Sequence, residues 1–541
     1  MTSGARKGPL ACGVALAAAL VMGVAGCRTT ERDIHRWANT IQGPKKLVAV
    51  VTHSKYPMEL RVEAAMTLVR MRPRGGKRIG IQGDDDNPGL VEALALLPAA
   101  ERSEIVTGMV PRLTAEMKKP PPAMQAGAPA GPDPSFPFKD AAFALLTHND
   151  GALVTDEKNR RLLQAALADW TTVDFAARAD ESSQMYGTEQ ILKYLKADGV
   201  RRLPELIRPD APKIDLIASL VAELGDGETR LRASRRLVQV AADVSSDQWL
   251  RRKAPDVKRA NRASKLKPNP RQFEAQLAQY QQEELLRVFT SMKRVGSQPI
   301  VDYLLNFALD ASQTEKRRAA ALAALEGQID RKNQSQVNAI LTLARAEDTP
   351  DEVRDQALRR VGELPRDLVV EQLYALFTHE NWRVRWMAAE LVLGMSETRD
   401  VPRFMDRLSQ AEGMALTEAW RYGTLLGHMK GNPKPTALVE KYAAPGNPIQ
   451  ARVSALGYYF EHGTRSDLPR VKVYESDTAR VPLCREGAEG CEWKCTVGQG
   501  RQAEVKEVTN VGEFVRYCVV PALEMREKDG KKQQQPAAQK R

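Results

Sequence analysis

The second half of the chain repeats one local frame: an arginine with small or apolar residues three, four and seven positions after it. In "HENWRVRWMAAELVLGM" the arginine is Arg385, followed by Ala388, Ala389 and Val392. In "TPDEVRDQALRRVGEL" it is Arg354, with Ala357, Leu358 and Val361. Arg318 leads Ala321, Leu322 and Leu325, and Arg452 leads Ala455, Leu456 and Tyr459. A weaker copy centres on Arg421 and Leu425, and an early one on Arg61, Ala64, Ala65 and Leu68. From Arg318 to Arg452 the intervals are 36, 31, 36 and 31 residues. Spacing of three, four and seven places these side chains on one helical face. A period of this size is that of stacked helix pairs, each too small to bury its own apolar face.

Helix starts accompany the frame. Thr349-Pro350-Asp351-Glu352 reads as a capping box with proline in the first turn; Asn447-Pro448-Ile449-Gln450 repeats that logic, and Ser312 with Glu315 offers another. Upstream of Arg385, "RDLVVEQLYALF" (366–377) has the spacing of a partner helix, and "THEN" (378–381) is the turn, with Asn381 as cap and His379 as a turn residue. These residues resemble HEAT repeats of the short bacterial kind, whose second helix often opens on Val-Arg and continues through alanine. The resemblance is clearest from about 310 to 463 and weaker at 213–243 and 33–71. It implies an all-α chain, an α-solenoid of HEAT-like helix pairs, and it brings no catalytic residue with it.

Three segments break the period. Residues 72–89 are rich in glycine and charge; Asp84, Asp85 and Asp86 are adjacent, unlike the alternating ligands of a calcium loop. Residues 118–138, "KKPPPAMQAGAPAGPDPSFPF", read as a Pro/Ala-rich linker between N-terminal repeats (27–117) and further repeats (139–250). Residues 251–271 hold nine Lys or Arg and one acid, with proline set to interrupt any long helix. Arg251, Arg252, Lys253, Lys258, Arg259, Arg262, Lys265 and Lys267 form a basic insertion ahead of the main array (272–463); it either binds an anionic surface or is simply solvated. Past 464 the period stops. "RVKVYESD" and "EWKCTV" have strand-like alternation, "VGEFVRYCVVPALEM" reads as helix, and the expectation is a small α+β cap over 464–525 with a disordered basic tail, 526–541.

The N-terminus has its own signature. Arg6 and Lys7 precede an apolar run (14–26) that ends at Cys27, the pattern of a secretory signal and too short for a comfortable membrane span. Val24-Ala25-Gly26-Cys27 resembles the bacterial lipobox. That implies cleavage after residue 26, lipid on Cys27 and, with Arg28 rather than aspartate next, an outer-membrane destination facing the periplasm. Export also frames the remaining cysteines. Cys12 lies in the signal, whereas Cys484, Cys491, Cys495 and Cys518 share the last 60 residues without the paired knuckles of a zinc site. Two disulfides are the expectation, with the pairing open.

Nucleophile elbows, zinc-helix motifs, phosphate loops and dinucleotide fingerprints do not occur in the sequence, and Ser264-Lys265-Leu266-Lys267 matches S-x-x-K by chance. No cofactor, metal site or catalytic residue is expected. Trp382 and Trp386, one helical turn apart, either pack on the preceding helix or present a ring for recognition. The resulting expectation is a non-enzymatic, lipid-anchored envelope scaffold that binds partner proteins through its solenoid surface. The alternative is a receptor for an anionic envelope polymer, lipopolysaccharide or surface polysaccharide, drawn by a formal charge of +12. Export disfavours a nucleic-acid partner.

Overall fold

The computed structural model describes residues 29–73, 78–84, 87–120, 133–180, 185–410, 416–427, 429, 436–481, 493–497 and 503–526. Among the described residues the chain is all-α, apart from one two-stranded antiparallel sheet near the C-terminus, and it divides into two compact units after Ser297. Among the described residues no helix is long and apolar enough to cross a membrane.

The first unit contains α1 (Glu31–Trp37), α2 (Gly43–Thr52), α3 (Met58–Arg70), α4 (Ile79–Gln82), α5 (Leu90–Ala95), α6 (Ala99–Met117), α7 (Phe136–Thr147) and α8 (Glu157–Thr172). It continues with α9 (Phe175–Asp180), α10 (Thr188–Leu195), α11 (Ala197–Val200), α12 (Ile214–Leu224), α13 (Gly227–Val244), α14 (Asp247–Ala263) and α15 (Pro270–Val295). Helix α2 pairs with α3, α7 with α8 and α14 with α15, while α3, α6 and α8 pack in succession. The core of α3 follows the Arg61 frame: Ala64, Ala65 and Leu68 are fully buried. Burying each large aliphatic side chain contributes about 1.5–3 kcal/mol before chain entropy is subtracted.

This unit also buries an ionic cluster. Lys139 and Asp140, consecutive in α7, are both 0 % exposed. Lys139 Nζ donates to Asp140 Oδ1 at 2.6 Å and to the Tyr186 carbonyl at 2.5 Å, and Arg78 Nε lies 2.7 Å from Asp140 Oδ2. Burial pushes the Lys139 ammonium down to about 8, although the Asp140 carboxylate pulls the other way. Phe136 and Phe138, at the end of the stretch read as a linker, are core residues of α7, because their rings find a hydrophobic face as soon as the helix starts.

The second unit is the repeat array. Its pairs are α16 (Gln298–Leu309) with α17 (Glu315–Ala324), α18 (Gln334–Arg345) with α19 (Asp351–Val361), and α20 (Arg366–Ala375) with α21 (Trp382–Gly394). Then come α22 (Val401–Ser409), α23 (Leu416–Leu426), α24 (Thr436–Ala443) and α25 (Ile449–His462). The second helices α17, α19, α21, α23 and α25 each pack on the next, and these are the helices that carry Arg318, Arg354, Arg385, Arg421 and Arg452. Asn381 caps α21 as expected, its side chain accepting from the Arg383 N–H at 2.9 Å. Pro350 and Pro448 differ from expectation. Each is itself the N-cap in extended backbone, and no side-chain cap forms at either position. A proline fits there because an N-cap needs neither helical φ/ψ nor an intrahelical N–H bond.

Two further readings are corrected. "RVKVYESD" (470–477) is no strand: α26 (Leu468–Lys472) and turns occupy it, since its only buried residue is Val471 and, among the described residues, no strand pairs with it. Residues 251–263 do form a long helix, α14, with Pro255 inside it; proline costs only one carbonyl's partner on a face open to water. The cap after α26 pairs β1 (Lys494–Val497) with β2 (Glu504–Glu507), then runs through α27 (Val511–Phe514), a π-turn at 515–519 and α28 (Val520–Met525). A disulfide joins Cys495 of β1 to Cys518 of the π-turn.

Candidate partner-binding surface

The surface of interest grows from the spacing of α21, α23 and α25. A Cβ on Gly457 would lie 2.4 Å from the Trp420 carbonyl, and one on Gly423 would overlap the Ser454 carbonyl at 1.8 Å. Only glycine permits that approach, so α23 and α25 meet backbone to backbone. Trp420 stands edge-on to Phe460, 5.3 Å between centroids, and 6.5 Å from Trp493, which itself rests 4.1 Å from Phe514.

On the other side of Trp420 lies an open groove of about 590 Å3 lined by Asp355, Trp382, Arg383, Trp386, Met387, Trp420 and Arg421. Trp382 is 46 % exposed, with the Arg383 guanidinium 5.7 Å from its ring centre. Trp386 is half-buried. Its ring stacks on fully buried Tyr422 at 5.7 Å, and Tyr422 stacks in turn on buried Phe377 at 6.3 Å. The two tryptophans therefore divide the sequence alternatives between them: Trp386 anchors into the core and Trp382 presents its face to solvent. Burial and the neighbouring Asp351 push the Asp355 carboxyl up, against the pull of nearby arginines, and Arg383 and Arg421 are exposed. A second cavity, of about 390 Å3, continues from Trp420 and Arg421 to Phe460, Trp493, Phe514 and Tyr517 in the cap. The continuous surface is aromatic, with cations at its rim. That composition marks recognition surfaces, because large rigid rings bury area at low entropy cost and arginine stacks on them.

Trp420, Phe460 and the two glycines had no reading in sequence. The available signal was the weak copy around Arg421, where Thr424 stands in place of the alanine of the other repeats and Gly423 precedes it.

The basic residues lie in the other unit. Arg251, Arg252, Lys253, Lys258, Arg259 and Arg262 are on α14, and Lys265 and Lys267 are in the turn after it. Arg252 pairs with Asp243, Lys253 with Asp210 at 2.8 Å, and Arg259 with Asp256 at 3.6 Å. Cys495 and Cys518 are bonded; Cys484, Cys491 and Cys27 lie outside the described residues. One group, Glu31, His35 and Glu63, has metal-ligand atoms within 4.8 Å of one another. Glu63, however, already accepts from Arg70 at 3.1 Å and Arg112 at 2.5 Å, so its charge is spent on arginine.

No family model and no curated protein matches the chain. It is similar to two solved structures, Kap121p bound to Nup53p (9 % identity, 92 % of this chain, 57 % of that one, TM-score 0.32) and Kap121p bound to Pho4p (10 %, 93 %, 62 %, 0.22). The chain thus spans less than two thirds of the length of either.

Proposed function

We propose that this chain is a non-enzymatic scaffold, held to the cell envelope by lipid on Cys27, that binds partner proteins through the aromatic surface of its second helices. The half-exposed ring of Trp382, set beside Trp386 and Trp420 in one groove, carries this reading. A solvated tryptophan face gains little in isolation, whereas under a partner it can be worth several kcal/mol, of order 2–4 at a hot spot. The lipid anchor rests on the Val-Ala-Gly-Cys run behind an apolar segment.

The test is in-cell photocrosslinking from position 387 in the groove, followed by envelope purification at low and high salt. A stoichiometric protein partner that survives salt and is lost in Trp382→Ala supports the scaffold; failure to capture any protein overturns it. Envelope fractionation of Cys27→Ala tests the anchor separately. Movement of the chain out of the membrane fraction is the expected result.

The alternative, capture of an anionic envelope polymer, draws on the basic α14 region. Polymer retention weakens steeply as salt rises, because it rests on exposed charges, whereas an aromatic protein interface is less sensitive.

A further inference from the structure

The hairpin of α14 and α15 stands away from its own unit. In α14 only Trp249, near the start, is buried, and the buried positions of α15 begin at Gln281. Between them, residues 250–280 contain no buried position. The base is closed by Trp249, which stacks on Tyr280 at 5.7 Å, by Gln281 Nε2, which donates to the Val244 carbonyl at 2.6 Å, and by ion pairs from Arg252 to Asp243 and from Lys253 to Asp210. Beyond it the two helices hold each other. Asn261 Nδ2 donates to Gln276 Oε1 at 2.9 Å, and Lys258 lies over the Phe273 ring at 5.3 Å. At 1.5 Å per residue the arm reaches out about 20 Å.

Charge is concentrated on this arm. From 251 to 280 there are nine Lys or Arg and two acids, Asp256 and Glu274. Arg251, Lys258, Arg262, Lys265 and Lys267 have no ion pair among the described residues, and all five are exposed. At the tip, Leu266 is 55 % exposed between Lys265 and Lys267. The turn is held in one shape, with the Leu266 N–H bonded to the Asn261 carbonyl at 2.8 Å.

We infer that this hairpin is a docking arm for an anionic phospholipid surface. The cations match the phosphate layer, and Leu266 lies where an inserted side chain enters the acyl boundary. The exposed leucine decides between lipid and polymer: it gains nothing from a solvated polysaccharide, but gains burial at a bilayer. A lipidated Cys27 fixes the chain to a membrane; the arm fixes how the first unit faces it. The inference is independent of the aromatic groove, so either can fail alone.

The test is co-sedimentation of the full chain carrying Cys27→Ser with phosphatidylcholine vesicles, with and without phosphatidylglycerol. Only the difference between compositions is read, which cancels any contribution of the N-terminal apolar segment. The expected preference for the anionic vesicles is about tenfold or more at low salt, and it falls as salt rises. The variant Lys258→Glu/Arg262→Glu/Lys265→Glu/Lys267→Glu loses that preference while keeping the wild-type melting curve. Leu266→Ser weakens anionic-vesicle binding about threefold without changing its salt dependence. Equal binding of the wild-type and charge-reversed chains to both compositions overturns the inference. So does displacement from vesicles by soluble polygalacturonate with Leu266→Ser binding like wild type, which would make the arm a polymer site.

Discussion

The side chain of Arg318 reaches back ten residues and donates from Nε to the carbonyl of Ala308, 2.7 Å away at the end of α16. The same relationship recurs along the chain. Arg61 Nε donates to the Val51 carbonyl at 2.8 Å, Arg452 Nε to the Ala443 carbonyl at 3.3 Å, and Arg354 to the carbonyls of Ala346 and Glu347 at 2.9 and 3.1 Å. Arg385 does it one turn later, donating to Glu380 at 2.7 Å. The last carbonyls of any helix lack intrahelical partners and carry the negative end of its dipole. A guanidinium, with five fixed donors, answers both at once while its stem packs between the helices. At Arg61, Arg318, Arg354 and Arg452 the arginine is therefore a clasp that closes its helix pair, which explains why a buried position keeps a charge.

Removing one clasp leaves carbonyls buried without a donor. Arg318→Met is expected to destabilise the chain by about 1–3 kcal/mol, the cost of an unmet buried acceptor. Arg421→Met, at the exposed arginine of the weak repeat, is expected to stay within about 0.5 kcal/mol of wild type. Thermal melts of the two variants side by side check this. Equal losses would mean that the clasp contributes nothing beyond its packing.

The array could be read from sequence because its signal is local. Ala321, Leu322 and Leu325 need only helical spacing to share a face, and the next repeat supplies the neighbour. Features requiring knowledge of a distant contact stayed hidden. Gly423 and Gly457 look like helix breakers until Ser454 and Trp420 are seen against them. Lys139 and Asp140 drew no reading in sequence, yet both are enclosed by Arg78, Tyr186 and Trp170. The alternation in "RVKVYESD" was real but found no partner strand. Pro255 misled for the opposite reason: on an arm with both faces in water, a proline can sit within a helix. Cys495 and Cys518 could be seen as disulfide candidates but not as partners, because pairing is set by the turn that brings the π-turn to β1.

Trp382 and Trp386 are expected to separate recognition from stability. Trp382→Ala removes a ring that is already half in water, so the melting curve should hardly move while partner crosslinking falls about tenfold or more. Trp386→Ala unstacks Tyr422 and should cost about 3 kcal/mol of stability as well. Calorimetry paired with crosslinking yield distinguishes the two. A Trp382→Ala chain that melts early but still binds would place that ring in the core instead.

The cap depends on the bond between Cys495 and Cys518, which closes a separation of 23 residues. Cys495→Ser/Cys518→Ser is expected to lose about 2–4 kcal/mol, confined to the cap. Because Trp493 precedes β1 and packs on Phe514, the cavity beside Trp420 should open with it. A separate early transition in calorimetry, matched by adding reductant to the wild type, is the expected result. A single unchanged transition would show that the buried side chains hold the cap unaided.

The buried lysine gives a pH signature whose sign can be worked out. Lys139 titrates at about 8 in the folded chain, below the ordinary lysine value of about 10.4 in the unfolded one. Between those values the unfolded chain holds a proton that the folded chain has shed, so the stability contributed by this group rises with pH across that window. Below about pH 8 both states are protonated and the contribution is flat. Lys139→Met, which keeps the apolar stem against Phe136 and Trp170, removes the slope. The stability of wild type relative to Lys139→Met is therefore expected to climb from about pH 8 to about pH 10, measured as unfolding midpoints at matched salt. A difference that stays constant over that range would mean that Asp140 keeps the ammonium charged despite its burial.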